Sequence, residues 1–327
     1  MFKKSLFILL CSFSAYAQAG FDIITLGSKG GIQDGNLTAF LIKDSLDNNY
    51  ITLDAGTVVN GLIAAEQKQA FQDIDVPKNS PYTKVGYILR EKIKGYFISH
   101  AHLDHLAGMI IASPDDSNKP IYGLPSVTEI ISETYFNWRA WPNFGSSGQG
   151  YQLGKYQYHD LSPQKWLLIK DTHLQAKALP LSHAGIESSA FIIKNNQKQV
   201  MVYLGDTGAD SVEQSDQLNN LWSTLAPYIK NKQLKGIMIE TSFTNDVPER
   251  SLYGHLTPKL LLEELALLEY KAGGKGALTG LPIVITHIKY SLLKKTDPLT
   301  VIQQQLNAGN TLGVTFHFPV QGERFSL

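Results

Sequence analysis

Cysteine is almost missing from this chain, since Cys11 is the single example in 327 residues. It lies within residues 1–19, which have the features of a removable leader. Once these residues are removed, the chain has no thiol, so neither disulfide bonds nor thiolate metal ligands are available to it. Any metal ion would therefore have to be held by nitrogen and oxygen atoms.

The chain also lacks an excess of charge of either sign and lacks long apolar runs. It carries 29 basic and 29 acidic residues, and removal of Lys3 and Lys4 would leave 27 against 29. A near-neutral chain lacks the excess of basic residues that is typical of proteins that bind long nucleic acids or anionic membrane surfaces. No stretch after residue 19 is apolar for long enough to span a bilayer. We expect a partner of another kind, namely a small molecule.

Residues 1–19 follow the order of a secretory signal. Two lysines precede the apolar run Leu6–Leu10, and small alanines follow it up to Ala19. The apolar run is too short to cross a membrane, and the small residues suit cleavage. The bulky leucine before Cys11 does not suit lipidation. We therefore expect an exported protein, periplasmic or secreted, whose residues 20–327 form a single domain.

Strand-like runs cluster ahead of helix-like runs in both halves of the sequence. The predicted strands are 22–26, 37–43, 50–54, 95–99, 166–170, 174–180, 189–194, 199–204, 235–240, 282–286 and 312–318. The predicted helices are 58–71, 84–93, one that begins near Asp104, 125–137, 212–228, 258–271 and 298–307. This order predicts an α/β fold in which two mixed β-sheets pack face to face with helices outside.

One irregular segment, residues 135–158, is dense in aromatic residues and glycine. A loop of this length inside a compact domain is usually functional or mobile. It either packs its rings on the body of the protein or forms a lid that offers aromatic side chains to a flat ligand ring. The aromatic candidates for such a lid are Trp138, Trp141, Phe144 and Tyr151.

The segment FISHAHLDHLAG, residues 97–108, contains three of the nine histidines in the chain. The predicted strand ends near His100, and side chains two apart on an extended segment point to the same side. His100 and His102 can therefore converge on one cation. Asp104 and His105 open the following helix, point elsewhere and suit a second cation. The motif predicts a site for two metal ions.

Two neighbouring cations need more ligands than these four, and one ligand should bridge them. Strand ends supply the remaining candidates because rigid strands place ligands precisely. His183, Asp206 and His287 each directly follow an apolar run. A lone histidine at a strand end is more often a structural polar residue, and we interpret His159, His173 and His317 in that way.

Together these residues resemble the ligand set of the metallo-β-lactamase superfamily in type and order. Within it the sequence is similar to the class II cyclic-nucleotide phosphodiesterases. The motifs that carry this second resemblance are ISHAHLDHLAG, LDAGT (53–57), LSHAG, YLGDTG, IETSF (239–243), YGHLTP (253–258), THIK (286–289) and the closing GVTFHFPVQGERF. Tyr290 stands after THIK where the family pattern suggests proline, which affects a local turn and no ligand.

The resemblance implies an αββα sandwich with a two-metal site at the edge of its sheets. It implies hydrolysis of 3′,5′-cyclic nucleotides to 5′-monophosphates, with cAMP as the expected substrate and cGMP as an open alternative. We expect Zn2+, although nitrogen and oxygen ligands also suit manganese and iron. The ligands implied are His100, His102, Asp104, His105, His183, Asp206 and His287. The oligomeric state stays open, a homodimer included.

Such a reaction also needs a group that protonates the leaving alkoxide. His255 is the candidate acid, oriented by Glu240, because imidazole titrates near working pH. A Glu–His pair serves in this way in the related transfer-RNA-processing phosphodiesterases, which supports the assignment by analogy. Alternatively, His255 is a structural residue ahead of the helix that starts at Thr257 and Pro258. Asp104 can also hydrogen bond to the attacking water.

Asn36 and Lys289 are candidates for contacts with sugar or phosphate, with a solvated surface position as the alternative for Lys289. Two other functions remain open from the sequence. One is hydrolysis of a β-lactam, lactone or thioester on the same fold, which would not need Glu240 and His255 as a separate acid. The other is a periplasmic metal-binding protein without turnover, which would favour a flexible histidine-rich or acidic loop.

Overall fold

The computed structural model of the protein describes residues 20–294 and 296–327. The predicted leader, residues 1–19, lies outside the described residues. Within the described ranges, no helix combines the length and the apolar character that a bilayer crossing requires.

The described residues form sixteen strands and eight α-helices. The strands are β1 (Phe21–Gly27), β2 (Lys29–Gly30), β3 (Ala39–Asp44), β4 (Tyr50–Leu53), β5 (Ile93–Phe97), β6 (Lys119–Gly123), β7 (Tyr156–Asp160), β8 (Leu167–Leu168), β9 (Gln175–His183), β10 (Ile186–Lys194), β11 (Val200–Leu204), β12 (Leu234–Glu240), β13 (Pro282–Thr286), β14 (Ile288–Lys289), β15 (Thr315–His317) and β16 (Arg324–Ser326). The helices are α1 (Val59–Gln67), α2 (Lys84–Tyr87), α3 (Leu103–Ala112), α4 (Pro125–Ile130), α5 (Asp210–Glu213), α6 (Gln217–Lys230), α7 (Pro258–Ala272) and α8 (Pro298–Gly309). π-Helical turns at Ile88–Lys92 and Ile131–Tyr135 extend α2 and α4, and a 3-10 turn spans Glu249–Ser251.

Two seven-stranded mixed sheets dominate the architecture. The first has the order β16-β1-β3-β4-β5-β6-β7, and the second has the order β15-β13-β12-β11-β10-β9-β8. In the first sheet β4 to β7 are parallel, and in the second β11, β12, β13 and β15 are parallel. A small ribbon of β2 and β14 joins the edge where the two sheets meet. The predicted fold class, two mixed sheets flanked by helices, is confirmed.

The sheets pack through aromatic and aliphatic side chains. Phe97 of β5 meets Phe191 of β10 edge to face, with ring centroids 5.4 Å apart, and Phe40 contacts Tyr203 at 6.1 Å. These rings lie in one buried core, while α6, α7 and α8 cover a second core on the outer face of the second sheet. The strand β11 reads VMVYL and is buried along its whole length, as expected for a parallel strand covered on both faces.

Several boundaries differ from the prediction for local reasons. The first helix ends at Gln67 because Gln69 adopts a left-handed backbone conformation, φ 61°. The helix predicted at 212–228 is split, since Gln214 takes a left-handed conformation between α5 and α6. The strands β6, β7 and β16 were not predicted. Each is short, β6 contains a proline, and β7 is mostly exposed, so their sequences carry a weak strand signal.

The chain end is held to the first strand by a charge cluster in which Asp22 and Lys43 are buried and Arg324 and Asp73 are exposed. Arg324 of β16 donates hydrogen bonds to Asp22 of β1, at 2.9 and 3.1 Å from Nε, and to Asp73 after α1. Lys43 adds a second cation 3.4 Å from Asp22. The hydrogen bonds from Arg324 lower the pKa of Asp73. Side-chain contacts therefore hold the edge strand β16 against β1 in addition to the backbone hydrogen bonds between the two strands.

We expect Arg324→Gln to lower the free energy of unfolding at neutral pH by about 1–3 kcal/mol, the usual worth of hydrogen bonds to charged groups. A carboxylate whose folded pKa is lowered stabilises above its ordinary pKa and loses that contribution as the pH falls through the folded value. Urea denaturation at neutral and at progressively acidic pH should therefore show the two proteins converging in acid.

The matched control is Lys259→Gln, whose partner Glu263 is, like Lys259 itself, more than half exposed. Exposed pairs contribute little, so this change should cost under about 0.5 kcal/mol. Equal effects of the two substitutions would contradict the role given to Arg324.

Candidate metal centre

The predicted site residues come from the carboxyl ends of strands in both sheets. β5 leads to His100, β9 ends at His183, β11 leads to Asp206, and β13 leads to His287. The α3 helix, which follows β5, begins at Leu103 and brings Asp104 and His105 to the same place. Parallel strands end at the same edge of a sheet, which is why positions far apart in sequence meet here.

Asp206 lies at the centre of this cluster. Its Oδ2 is 3.2 Å from Nε2 of His287, 3.3 Å from Nε2 of His105, and 3.9 Å from Nε2 of both His100 and His183. A single carboxylate oxygen thus faces four of the predicted ligand imidazoles. A bridging ligand between two cations would need this position.

The other predicted ligands fall into two groups around Asp206. In one, Nδ1 of His102 is 3.0 Å from Nε2 of His100 and 3.3 Å from Nε2 of His183. The second group contains Asp104, His105 and His287, and the ligand atoms within each group lie within 4.8 Å of one another. The structure brings all seven predicted ligands together, with His100 and His102 in one group and Asp104 and His105 in the other, as their spacing suggested.

The chemistry of these atoms suits divalent cations. Nε2 of His105 and Oδ1 of Asp206 are buried and have no hydrogen-bond partner among residues 20–294 and 296–327. Buried polar atoms without partners are rare and costly, and Nε2 of His105 faces the cluster at Oδ2 of Asp206. Two imidazole nitrogens that face each other with their lone pairs repel one another. A proton or a metal ion between the two nitrogens removes this repulsion. Five overlapping sets of side chains here could hold an ion.

Burial lowers the pKa of His100, His102 and His183, which keeps these imidazoles neutral, as metal ligands must be. Burial also opposes a charge on His105 and His255. Nearby carboxylates, chiefly Asp206 for His105, outweigh burial and raise both pKa values. Bound cations would replace the protons that these carboxylates otherwise attract.

Asp54 organises one side of the cluster, a role that the sequence did not reveal. Its carboxylate is fully buried and accepts hydrogen bonds from Nδ1 of His105 at 2.7 Å, from the hydroxyl of Ser99 at 2.8 Å, and from Tyr203. The Ser99 hydroxyl in turn lies 3.1 Å from Nδ1 of His100. With both Nδ1 atoms engaged, the Nε2 atoms of His100 and His105 are free to face the centre.

Glu240 organises the opposite side in the same manner. Its Oε1 is 2.7 Å from Nδ1 of His255, and its Oε2 accepts from the hydroxyl of Ser242. That hydroxyl lies 2.9 Å from Nδ1 of His287. The pair predicted from sequence, Glu240 and His255, is thus brought together beside the cluster, with Nδ1 of His255 3.7 Å from Oδ2 of Asp206.

Backbone groups orient two further side chains. The carbonyl of Gly254 accepts from Nδ1 of His183 at 2.8 Å, and the N–H of Gly31 donates to Oδ2 of Asp104 at 2.8 Å. Gly30 has to be glycine, because a Cβ there would lie 2.2 Å from the ring of His287. These contacts could not be read from the sequence, since they join segments far apart in the chain.

The two predicted substrate contacts occupy different surroundings. Nζ of Lys289 lies 2.8 Å from Nε2 of His255 and 5.1 Å from the ring centre of Phe243. The Lys289 ammonium group could therefore contact a negatively charged group that lies next to His255. The side-chain oxygen of Asn36 accepts a hydrogen bond from the N–H of Ser28 at 3.1 Å, which supports the turn beside His287. Contact between Asn36 and a substrate stays a prediction.

The aromatic segment 135–158 packs partly on the body. Phe144 is buried against Phe136, and the indole N–H of Trp141 donates to Ser113 at the end of α3. Trp138 and Tyr151 are exposed, so they alone of the four remain available to a ligand ring. The segment also touches the metal-binding loop, where Tyr135 donates to the carbonyl of Ala101 at 2.9 Å.

The fold and this edge cluster define a metallo-β-lactamase-fold protein. The metallo-β-lactamase fold protein YhfI from Bacillus subtilis matches with a TM-score of 0.57 and 16% identity, covering 93% of this chain and 99% of that one. The crystal structure of unliganded yeast PDE1 matches with a TM-score of 0.79 and 23% identity, covering 94% and 100%. These similarities show the shared fold.

Sequence comparison then gives the family. The model of the class II cAMP phosphodiesterases matches residues 21–322, and the chain belongs to this family. It is 57% identical over 327 residues to a 3′,5′-cyclic-nucleotide phosphodiesterase from Aliivibrio fischeri, with 99% of both chains covered. It is 42% identical over 323 residues to a probable 3′,5′-cyclic-nucleotide phosphodiesterase from Yersinia pestis, covering 99% of this chain and 94% of the relative. The resemblance inferred from the motifs is confirmed.

We expect Asp54→Asn to weaken metal binding about 10–100-fold, the usual effect of losing a partner that orients a ligand. Asp54 has a left-handed backbone conformation, φ 53°, which asparagine tolerates, so the fold should persist. Competition with a chromophoric chelator measures the affinity, and circular dichroism checks the fold.

The control is Tyr203→Phe, which removes one donor to the same carboxylate but leaves its charge. It should change the metal affinity much less. Unchanged affinity in the folded Asp54→Asn variant would exclude the orienting role.

Proposed function

We propose that this protein is a metal-dependent phosphodiesterase that hydrolyses 3′,5′-cyclic nucleotides, cAMP and also cGMP, to nucleoside 5′-monophosphates. The observation that carries the proposal is the juxtaposition of the seven-residue cluster around Asp206 with the Glu240–His255 pair, 3.7 Å away. The relatives' names agree with this activity, and the family membership makes it the first substrate class to test.

Two divalent cations at these ligands would supply positive charge against the phosphate oxygens and acidify a water molecule at neutral pH. We propose zinc for both positions. His100, His102 and His183 would hold one cation, and Asp104, His105 and His287 the other, with Asp206 between them.

The chain's own groups would handle the protons. Asp104 is partly exposed, with 21% of its side-chain surface accessible, and can hydrogen bond to the attacking water. The water oxygen forms a bond to phosphorus and releases one proton to solvent, the bond from phosphorus to O3′ breaks, and O3′ leaves as an alkoxide. His255 donates a proton to that oxygen, while Glu240 holds the imidazole and stabilises its charged form.

Lys289 would bind the phosphate beside His255. Its ammonium group, 2.8 Å from Nε2 of His255, can offset negative charge at the point where the leaving oxygen departs. The near-neutral net charge of the chain suits a small diester better than a long polyanion.

Export is part of the proposal and depends on residues 1–19 alone. Their lysines, apolar run and small residues suit a cleavable signal, which would place residues 20–327 in the periplasm or outside the cell as one catalytic domain. An exported enzyme would meet cyclic nucleotides outside the cytoplasm.

Chelation should abolish turnover of cAMP, and re-addition of a divalent metal should restore it. Phosphate released from the 5′-monophosphate by a coupled nucleotidase measures the rate, with zinc, manganese and iron compared in turn. Turnover that persists after complete metal removal, verified by elemental analysis, would refute a metal-dependent reaction. Inactivity of the fully loaded protein on every cyclic nucleotide would refute the substrate class.

We expect His255→Ala to lower kcat for cAMP about 10²–10⁴-fold, the usual contribution of a positioned acid, with metal content retained. Nδ1 of His255 is engaged by Glu240 at 2.7 Å, and the seven proposed ligands stay in place, so the metal stoichiometry should not change.

A substrate with a p-nitrophenolate leaving group supplies the control, because that group departs without a proton. Bis(p-nitrophenyl) phosphate hydrolysis should fall far less than cAMP hydrolysis in the His255→Ala variant. Equal losses on both substrates, or loss of metal, would show that His255 acts structurally.

A further inference from the structure

A second cleft lies at the opposite end of β5 from the metal centre. It has a volume of about 420 Å³, within the range of small-molecule sites, and it is lined by residues of β5, β6, β7 and β8. Ile93, the first residue of β5, lines it, whereas His100 follows the other end of the strand. Ile93 is roughly 20 Å from the metal centre at strand spacing, and from there the cleft extends to Tyr122, which pairs with Phe97 nearer that centre.

Tyr122 lies in this cleft with an unused donor. The residue is only 4% exposed, and its hydroxyl makes no hydrogen bond to any part of the chain that the structure describes. Its ring stacks on Phe97, with centroids 4.6 Å apart. Burial raises the pKa of Tyr122 to about 12, so the hydroxyl stays a neutral donor. The hydroxyl is not among the fully enclosed polar atoms, so a ligand in the cleft can reach it.

A second ring stands beside Tyr122. The imidazole of His159 lies with its centroid 5.4 Å from the tyrosine ring at an angle of 40°, and its side chain is exposed in the same cleft. Leu168, 65% exposed, lies along the cleft as well. The two rings and the leucine give planar and apolar surfaces of the kind that bind an aromatic ring.

The remaining wall is cationic. Four of its side chains are positive and one is negative: Arg90, Lys94, Lys119, Lys170 and Asp171. Arg90 and Lys119 donate to backbone carbonyls, and Lys119 also pairs with Asp116. Lys94 and Lys170 have no hydrogen bond or ion pair within residues 20–294 and 296–327, so their charges are available to an anion.

We propose that this cleft is a second binding site, separate from the metal centre, for a planar aromatic molecule that carries an anionic group, of the size of a nucleotide. Tyr122 donates a hydrogen bond to the ligand, His159 contacts its ring, and Lys94 and Lys170 bind its anionic group. The inference does not rest on the proposed phosphodiesterase activity, because it uses none of the residues around Asp206.

Adenosine 5′-monophosphate is the probe, titrated into the intact, metal-loaded protein by calorimetry. We expect two binding events per chain, one of which is lost or weakened about tenfold or more in the Lys94→Gln/Lys170→Gln variant. Tyr122→Phe should weaken the same event by a smaller factor. Adenosine alone and inorganic phosphate alone should each bind there more weakly than the whole probe.

The matched control is Lys230→Gln/Lys235→Gln, which removes two lysines from a different surface cleft, at the start of β12. This variant should retain both events. The absence of any binding event that the Lys94→Gln/Lys170→Gln variant loses, or equal loss in the two double variants, would overturn the proposal. Phosphate that binds as tightly as the nucleotide would overturn the proposed contact with an aromatic ring. Turnover of cAMP is not the readout, so failure of the proposed function would leave this result unaffected.

Discussion

The metal centre depends on the orientation of buried imidazole rings. Each ring that faces the centre with one nitrogen must satisfy the other nitrogen inside the protein, because an unpaired buried N–H is costly. Asp54 and Glu240 meet this need in the same way: each contacts one imidazole directly and a second one through a serine hydroxyl. The two chains of contacts are His105–Asp54–Ser99–His100 and His255–Glu240–Ser242–His287.

These contacts follow from strand adjacency. Leu53 pairs with Phe97 across β4 and β5, which places the next residue, Asp54, beside Ser99. Glu240 pairs with Thr286 across β12 and β13, which places Ser242 beside His287. Each sheet thus supplies one carboxylate–serine pair, and the cluster forms where the two sheets meet. A register shift of one residue would turn these side chains to the other face, so the register is tied to the chemistry.

The sequence indicated which side chains converge because each follows a local pattern: a polar residue directly after an apolar strand, or the dense motif at 97–108. Their role as metal ligands stays a prediction. It also predicted both sheets, whose central strands are apolar and β-branched. It did not predict the role of Asp54, because that role depends on the neighbouring strand β5 and on Tyr203 from the other sheet. The pairing of β16 with β1 escaped prediction too, since it joins the two ends of the chain and has a short, half-exposed strand.

Charge balance links the orientation of the rings to the need for metal. Four carboxylates converge at this edge, and Asp54, Asp206 and Glu240 are buried while Asp104 is partly exposed. Such a concentration of negative charge destabilises a fold unless cations or protons compensate it. The raised pKa values of His105 and His255 are the protein's own response. Bound divalent cations would offset these carboxylates, and Lys289 together with protonated His255 would then face the negative charge of an incoming phosphate diester. The residues that orient the ligands therefore also set the charge that the substrate meets.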